Sequence, residues 1–311
     1  MTVPAAGPPR HSSLRDLFTD SPTLRRSLGE LVRAAESEAP VLLLGEPGSG
    51  RTTLARAVHV SSPRRAKALV EVDSGSIPVN LFESELFGHR RGAFTGAETS
   101  QEGRVERAEG GSLLLDPVEE IPVESQPKLL RLLSERQFQP LGGAERTADV
   151  RFLATGRLDL RERVRQGLFR SDLFYRLEVL AFRVPPLRER IEDLPRIAEG
   201  MIAEIARRLG GAPTPLAPEA LEWMTEHTWP GNLRELRNLL ERSLILPHGD
   251  RLAPDPLPRR FEDRPRSLRE VEEDEIRRAL AYTRGHQGRA AELLGISRKA
   301  LWEKRKRHGI P

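Results

Sequence analysis

The sequence contains no cysteine, few aromatic residues and no long apolar run. The lack of cysteine among 311 residues excludes disulfides and thiolate metal sites, which fits a reducing cytoplasm. No apolar segment approaches the roughly 18 residues of a membrane span, and the start, MTVPAAGPPRHSS, has no hydrophobic signal core. We therefore expect a cytoplasmic protein that does not bind membranes and that begins with a disordered tail over residues 1–20.

The composition is that of a folded protein with a modest positive charge. Hydrophobic residues make up 38% of the chain and charged residues 31%, and the net charge is +4. A chain of this length can bury a sizeable core and form two or three domains. Arginine and lysine are concentrated near the C-terminus, so their position is more informative than their sum.

A glycine-rich loop follows the apolar strand predicted over Val41–Leu44 and precedes a helix predicted over Thr53–Val60. Its residues follow a phosphate-loop pattern, except that Arg51 stands where lysine is expected. A glycine-rich backbone can wrap a polyphosphate, a helix N-terminus favours negative charge, and the hydroxyl of Thr52 can bind Mg²⁺. The planar guanidinium of Arg51 keeps the charge but is expected to displace the contact with the phosphates. The predicted nucleotide-binding residues are Gly45, Glu46, Pro47, Gly48, Ser49, Gly50, Arg51, Thr52 and Thr53.

Strands and helices alternate over the first two thirds of the chain, which predicts a mostly parallel sheet covered by helices on both faces. Asp116 ends the third strand, where a Mg²⁺-directed acid is expected in a phosphate-loop fold. The further predicted strands are Ala68–Val72, Leu113–Leu115, Val150–Ala154 and Leu180–Val184. The predicted helices are Ser21–Glu36, Val79–Phe87, Gln126–Arg136 and one with the apolar stripe Ile197, Met201, Ile202, Ile205 and Leu209.

The stretch Gly92–Ala97 combines two glycines, two alanines and one aromatic residue. Such a composition is typical of a mobile loop that presents Phe94. An exposed apolar tip of this kind indicates a binding partner. Taken alone, however, the stretch is better explained as a surface turn that carries an incidental phenylalanine.

Several segments together resemble the AAA+ domain of bacterial sigma-54-dependent transcription activators. They are GEPGSGRT, ESELFGHRRGAFTGA, GGSLLLDPVEEIP, FRSDLFYRLEV, VPPLRERIEDLP and WPGNLRELRNLLER, and the resemblance runs from about Ser21 to His248. It implies an α/β fold, with an AAA+ phosphate-loop parallel sheet over residues 21–190 and a helical lid over 191–248. It also implies that the ligands are ATP and Mg²⁺, and that the chain forms a homo-oligomer, a hexameric ring or a dimer in equilibrium with it.

The resemblance also implies roles for individual residues. Arg170 and Arg176 fall on the arginine-finger positions, although two helix-surface arginines are the simpler alternative. Arg234 falls on the sensor II position, and Thr52 and Asp116 fall on the Mg²⁺ positions. The loop that contacts the sigma-54 RNA polymerase holoenzyme in this family corresponds to Gly92, Ala93, Phe94, Thr95, Gly96 and Ala97.

Four departures from the family pattern surround the expected γ-phosphate: Arg51, Asp73, Pro117 and Arg157. Pro117 replaces the glutamate that orients the attacking water, and acid–base assistance of this kind is worth about 10²–10⁴ in rate. We therefore predict ATP binding with weak or absent hydrolysis. Rescue by Glu119 or Glu120 is not expected, because Glu120 matches a second acid of the family and Glu119 would need a different backbone path.

The C-terminal part has the pattern of a DNA-binding module. Residues 249–267 have linker composition, and Ser267 with Glu270 predicts a capped helix reaching Tyr282. Helices predicted over Gly288–Leu294 and Ser297–Arg307, joined at Gly295, indicate a helix-turn-helix within an all-α domain of residues 268–311.

This module resembles the Fis-type domain of the same activators. Ala300 and Leu301 are expected to face inward, and packing of Trp302 in the small core is an alternative to DNA contact. If all six basic side chains of the last helix met phosphates, log affinity would fall against log salt with a slope of about −5. The predicted DNA-binding residues are Ser297, Arg298, Lys299, Trp302, Lys304, Arg305 and Lys306.

The sequence as a whole predicts a cytoplasmic DNA-binding transcriptional regulator of sigma-54 RNA polymerase that binds enhancer-like sites in double-stranded DNA. No receiver or ligand-sensing domain is recognisable ahead of the AAA+ domain, so control by phosphorylation or a small molecule within this chain is not expected. One alternative is a fully active ATP-hydrolysing activator. Another is a repressor that uses the AAA+ domain only for oligomerisation.

Overall fold

The computed structural model describes residues 13–14, 17, 19–246, 252, 272–273, 275–277, 279–280, 283, 286–308 and 310. The chain divides into two units, Met1–Asp255 and Pro256–Pro311. Across the described part of the chain, no helix combines the length and apolar character that a membrane span needs.

The strands of the first unit form one central sheet and two short hairpins. Their bounds are β1 Val41–Gly45, β2 Leu69–Asp73, β3 Gly88–His89, β4 Gln101–Glu102, β5 Ser112–Asp116, β6 Gln137–Phe138, β7 Arg146–Thr147, β8 Arg151–Gly156 and β9 Leu180–Val184. The central sheet is parallel, with the order β2-β5-β8-β1-β9, whereas β3 pairs with β4 and β6 with β7 in antiparallel hairpins. This confirms the predicted α/β class, with strand ends that differ from the prediction by at most two residues.

Both faces of the central sheet are covered. Leu42 and Leu113 pack into the core on one face, and Leu43 and Leu114 pack into a second core. Successive side chains of a strand point to opposite faces, so an uninterrupted apolar run such as Val41–Leu44 is stable only with apolar layers on both sides.

Ten helices of the first unit lie within the described residues. Their bounds are α1 Pro22–Ala35, α2 Arg51–Val60, α3 Val79–Phe87, α4 Arg104–Arg107, α5 Gln126–Glu135, α6 Leu160–Arg165, α7 Ser171–Leu177, α8 Leu194–Arg208, α9 Pro218–Glu226 and α10 Asn232–Ile245. The predicted helices over Ser21–Glu36, Val79–Phe87 and Gln126–Arg136 are confirmed within one residue. The phosphate-loop helix α2 begins at Arg51, two residues earlier than predicted.

Part of the predicted tail is packed onto the domain. Leu14 is 2% exposed and joins the core on the α1 side of the sheet, and its N–H donates to Ser61 Oγ at 2.9 Å. Thr19 is buried, and its hydroxyl donates to Asp193 Oδ2 at 2.6 Å. The prediction of a disordered tail over residues 1–20 is wrong for these two residues, because each is held by contacts with distant parts of the chain. Residues 1–12 lie outside the described residues.

The lid consists of α8, α9 and α10 around their own apolar core. Ile202 and Ile205 are buried there as predicted, and Ile197 and Met201 pack at its edge. Leu209 is 49% exposed, so its assignment to the packing stripe is wrong. The reason is that α8 ends at Arg208, and the chain turns away before Leu209 reaches the core.

The second unit contains the two predicted short helices, α11 Gln287–Leu293 and α12 Arg298–His308. Ala290, Ala291 and Leu301 form their shared core with Ile276, which belongs to a helical segment within residues 272–280. Ala300 is only half-buried, so of the two residues expected to face inward Leu301 alone is fully buried. Ser267, Glu270 and nearly all of the predicted linker lie outside the described residues.

Candidate functional site

A cleft of about 760 Å³ lies between the phosphate loop, the C-terminal ends of β2, β5 and β8, and the lid. Ligands bind at this edge in open parallel sheets. Both arginines and carboxylates line its wall. The charged lining residues are Arg51, Arg56, Arg104, Arg157, Arg234 and Arg237, with Glu71, Asp73, Asp116 and Glu119.

The lid closes directly over the phosphate loop. Gly48 has φ +77°, and a Cβ at this position would lie 2.5 Å from the carbonyl oxygen of Gly231. The N–H of Leu233 donates to Gly48 O at 3.0 Å. Glycine is therefore required at position 48 both for the backbone conformation and for the close approach of the lid.

Glu46 of the phosphate loop faces the lid rather than the cleft. Arg188 donates to both of its carboxylate oxygens, at 2.8 and 2.5 Å, and Asn232 Nδ2 donates at 3.2 Å. These hydrogen bonds, with that from Arg188 the largest cause, lower the pKa of Glu46 to about 2. Glu46 is not among the residues that line the cleft, so the structure assigns this predicted nucleotide-binding residue a role in holding the loop against the lid.

The guanidinium of Arg51 is directed at backbone carbonyls. Its Nη1 donates to Gly45 O at 3.0 Å and to Gly156 O, so it bridges the ends of β1 and β8. Burial lowers the pKa of Arg51, while Glu119 and Asp116 act in the opposite direction. The Nη1 of Arg51 is therefore engaged by carbonyl groups of the chain itself, and a displaced contact with the phosphates stays a prediction.

Thr52 and Asp116 lie side by side, as predicted for a Mg²⁺ site. Thr52 Oγ1 donates to Asp116 Oδ2 at 2.6 Å, and the buried hydroxyl of Thr155 donates to Oδ1. These contacts orient the Asp116 carboxylate at the C-terminal end of β5.

Glu119 is placed differently from our expectation. It lies on the short 3-10 turn Val118–Glu120 that follows β5, its side chain is fully buried, and it lines the cleft. Pro117 lines the same wall, whereas Glu120 is exposed. The chain thus places Glu119 in the cleft wall, which we did not expect. The sequence signal for this placement was Glu119 itself, an acidic residue two positions after Pro117.

The other predicted site residues are divided between the cleft and the outer surface. Asp73, Arg157 and Arg234 line the cleft, as do Gly50 and Thr53. Arg170 and Arg176 are exposed and do not line it, and Arg170 is paired with Asp172 at 2.7 Å. Within a single chain, therefore, the two arginines are not part of the nucleotide site.

The loop Gly92–Ala97 forms the tip of the β3–β4 hairpin. Its ends are joined by a hydrogen bond from Gly92 N to Ala97 O at 2.8 Å, and both glycines have positive φ. The ring of Phe94 is 40% exposed and rests edge-on against His89, with 5.0 Å between ring centroids. Thr95 is exposed beside it. The hairpin thus presents an aromatic side chain at its tip, as predicted.

The last helix, α12, has one exposed basic face. Its residues Arg298, Lys299, Trp302, Lys306 and Arg307 are exposed. Trp302 is 56% exposed and lies under Lys306 Nζ, 5.4 Å from the ring centroid, so the alternative that it packs in the core is wrong. Ser297 Oγ accepts from Ala300 N at 3.1 Å and therefore caps the helix.

Two of the predicted DNA contacts lie differently on this helix. Lys304 forms an ion pair with Glu272, which also binds His308 Nε2 at 3.1 Å. Arg305 is half-buried at the side of the helix. Lys304 is therefore engaged within the small domain, and the Nε of Arg305 is buried.

Comparison with protein-family models gives three matches along the chain. Residues 17–183 match the sigma-54 interaction domain, residues 188–274 match an AAA+ ATPase lid domain, and residues 267–308 match the bacterial regulatory protein model of the Fis family. The first match alone covers more than half of the chain.

Individual relatives give the same result. The chain is 39% identical over 313 residues to the transcriptional regulatory protein ZraR of Escherichia coli K12, covering 97% of this chain and 71% of that protein. It is 40% identical over 325 residues to the DNA-binding transcriptional regulator NtrC of a Bradyrhizobium strain, covering 91% and 68%.

Among solved structures, NtrX from Brucella abortus superimposes with a TM-score of 0.75 at 34% identity, covering 95% of this chain and 70% of NtrX. NtrX has also been crystallised with ATP, in a structure that superimposes with a TM-score of 0.73 and covers 94% of this chain and 70% of that one.

Proposed function

This chain belongs to the family of sigma-54-dependent transcriptional regulators, and we propose that it is a DNA-bound member that binds ATP in the cleft under its lid and hydrolyses it slowly. The single observation that carries the proposal is the cleft itself, in which a phosphate loop complete except for Arg51 faces a wall where Pro117 directly follows Asp116. A location in the cytoplasm stays a prediction.

Several features of the cleft fit a nucleoside triphosphate. Gly48 and Gly50 have positive φ, so successive backbone N–H groups can turn towards an anion, and α2 begins at the next residue. Arg234 of the lid adds positive charge opposite the loop. That the related NtrX has been crystallised with ATP supports the same assignment.

The donor set near Asp116 fits Mg²⁺ bound together with phosphate oxygens. No group of three or more histidine, aspartate or glutamate side chains that could hold a metal ion occurs in the described residues, so a protein-only metal cage is not available there. Mg²⁺ is bound in proteins through one or two oxygen ligands plus substrate phosphates. Thr52 and Asp116 would hold it, and it would supply charge neutralisation at the β- and γ-phosphates.

The slow hydrolysis is inferred from the side chains at the end of the cleft. Pro117 has no side-chain group that can accept a proton. The Nη1 of Arg51 donates to two backbone carbonyl oxygens of the chain. Asp73 and Arg157, two of the four departures from the family pattern, also line the cleft and add charged groups there. Each change lowers the precision with which water and phosphate are held.

The interaction surfaces lie apart from this cleft. The exposed Phe94 and Thr95 at the hairpin tip are proposed to contact sigma-54, because an aromatic anchor on a presented turn is suited to a protein partner. Arg170 and Arg176 are proposed to reach the nucleotide of a neighbouring subunit in a homo-oligomer, a hexameric ring or a dimer in equilibrium with it, since they do not reach the cleft of their own chain. The exposed face of α12 is proposed to contact double-stranded DNA at enhancer-like sites.

The proposal is tested by measuring ATP binding and phosphate release for the wild type beside Pro117→Glu. We expect both proteins to bind Mg·ATP, and we expect the variant to hydrolyse it about 100-fold faster because a carboxylate is restored. Absence of ATP binding by the wild type would show that the nucleotide assignment is wrong. Equal rates for the two proteins would show that Pro117 is not the decisive change.

Deletion of the hairpin tip distinguishes the proposed regulator, which contacts sigma-54, from the alternative of a repressor. Removal of Gly92–Ala97 should abolish the effect on sigma-54 promoters while DNA binding persists. If regulation is unchanged in the deletion variant, the hairpin tip does not contact sigma-54 and a repressor that uses its AAA+ domain only for oligomerisation is the better description.

A further inference from the structure

Glu119 is a buried carboxylate in the wall of the nucleotide cleft. It follows Asp116 by three residues, on the 3-10 turn that leaves the C-terminal end of β5. Its side chain is 0% exposed, and yet the residue lines the cleft together with Arg51, Thr52 and Asp116. The residue therefore forms part of the cleft wall beside the phosphate loop.

The two oxygens of this carboxylate differ in their contacts. Oε2 accepts a hydrogen bond from Arg157 N at 3.3 Å. Oε1 accepts no hydrogen bond from the described residues, and Arg157 Nε lies 3.5 Å from it. Buried side-chain oxygens nearly always accept a hydrogen bond. A buried oxygen without a donor in the wall of a ligand cleft therefore indicates that a ligand or a water molecule supplies the missing hydrogen bond.

The neighbouring backbone makes room for this arrangement. Gly156, at the end of β8, lies so close that a Cβ there would be 3.3 Å from Glu119 Oε2 and 3.2 Å from a methyl of Leu44. A side chain at position 156 would crowd the carboxylate. The sequence Thr155-Gly156-Arg157 thus both admits Glu119 and supplies the N–H that orients it.

The charges around Glu119 are those of a site that handles phosphate. Arg51 and Arg157 are its cationic neighbours, and both line the cleft. Burial is the largest influence on this group and raises the pKa of Glu119, whereas the two arginines act in the opposite direction. A carboxylate with a raised pKa is a better proton acceptor than a solvated one.

A purely structural ion pair explains the geometry less well. Arg157 is 47% exposed, and it reaches Oε1 without making a hydrogen bond. A salt bridge needed only for stability could use the exposed Glu120 next along the chain, without the desolvation that burial of Glu119 entails.

We propose that Glu119 is the group that orients and deprotonates the attacking water, so that the chain keeps a slow ATPase in spite of Pro117. This inference rests on the proposed binding of ATP in the same cleft. The water oxygen forms a bond to the γ-phosphorus while the bond from that phosphorus to the β,γ-bridging oxygen breaks. ADP leaves with the bond's electron pair, and the water proton passes to Glu119 and then to solvent.

The test compares Glu119→Gln with the wild type and with Glu124→Gln as a matched control. Glu124 is exposed and lies outside the cleft. The full-length proteins are assayed for affinity for a fluorescent ATP analogue, for phosphate release, and for trapping of ADP with aluminium fluoride. We expect Glu119→Gln to bind ATP within about threefold of wild type, to release phosphate about 100-fold more slowly and to lose the trapped complex. Glu124→Gln should match the wild type in all three.

Two further variants keep the result interpretable. Glu119→Asp retains the charge but shortens the side chain, so it should fall between wild type and Glu119→Gln in phosphate release. Adding Pro117→Glu to Glu119→Gln should restore hydrolysis, because a carboxylate returns to the same wall. The double variant also shows that the loss in Glu119→Gln is not caused by misfolding.

The possible failures are distinguishable. If the wild type does not bind the ATP analogue, the proposed function and this inference are both wrong. If it binds ATP and Glu119→Gln hydrolyses and traps ADP like the wild type, only the role of Glu119 is wrong. The same conclusion follows if the wild type binds ATP but neither hydrolyses it nor traps ADP with aluminium fluoride.

Discussion

The salt dependence of DNA binding should show how many cations of α12 reach phosphates. Arg298, Lys299, Lys306 and Arg307 are exposed on this helix, whereas Lys304 is paired with Glu272 and Arg305 is half-buried. Each neutralised phosphate contributes about 0.9 to the slope of log affinity against log salt. Four contacts give a slope of about −3.6 for each bound helix-turn-helix, and six would give about −5.4.

The two slopes predict clearly different losses of affinity. Between 50 and 200 mM salt, four contacts correspond to a loss of about 150-fold, and six correspond to about 1,800-fold. Because the counterion effect does not depend on base sequence, fluorescence anisotropy with any labelled duplex can measure it over a series of KCl concentrations. The number of bound chains is determined in the same titrations.

Comparing the salt slope of matched variants with that of the wild type gives a fractional change that does not depend on the number of bound chains. Lys306→Gln should lower the slope by about a quarter, since it removes one of four contacts. Lys304→Gln should leave the slope unchanged, since the ammonium of Lys304 is engaged by Glu272. If Lys304→Gln lowers the slope as much as Lys306→Gln does, the assignment of Lys304 to the inside of the domain is refuted. Circular dichroism of both variants controls for loss of the helix.

Two other predictions concern the hairpin tip and the closure of the lid. Phe94→Ala should weaken sigma-54 binding by about tenfold or more, as expected for an aromatic anchor, and leave ATP affinity unchanged; Val79→Ala, at another exposed apolar residue, is the control. Gly48→Ala should lower ATP affinity and reduce stability by about 1–2 kcal/mol, since a Cβ is strained at positive φ and meets Gly231 O. Gly29→Ala, where a Cβ meets nothing within 4 Å, should instead be neutral or slightly stabilising in thermal unfolding. Unchanged sigma-54 binding in the first variant, or unchanged ATP affinity in Gly48→Ala, would contradict the corresponding prediction.

Most of the architecture could be predicted from the sequence because it depends on local patterns. The apolar run of β1, the glycines of the phosphate loop and the helix that follows occur within twenty residues, and each has its physical reason in its own neighbourhood. The same applies to the two short helices around Gly295. Element ends were less predictable, since α2 begins inside the loop pattern at Arg51.

The composition of the site could be predicted only in part. Thr52 and Asp116 were expected together because both fall on the Mg²⁺ positions of a phosphate-loop fold, and the structure brings them within hydrogen-bonding distance. Glu46 was expected at the nucleotide but is held by Arg188, which lies 142 positions further along the chain. A loop motif cannot indicate such a partner, because the contact is formed only when the lid packs on the sheet.

The sequence by itself determined the family, the α/β fold and the positions at which the chain departs from the family pattern. Only the tertiary structure decided what the remaining residues do. Glu119 is buried in the cleft wall because Gly156 of another strand leaves space for it. Lys304 does not belong to the exposed basic face of α12 because Glu272 of another helical segment binds it. These positions depend on contacts between segments that are distant in sequence, and for that reason the pattern of residue types around Pro117 and along α12 did not indicate them.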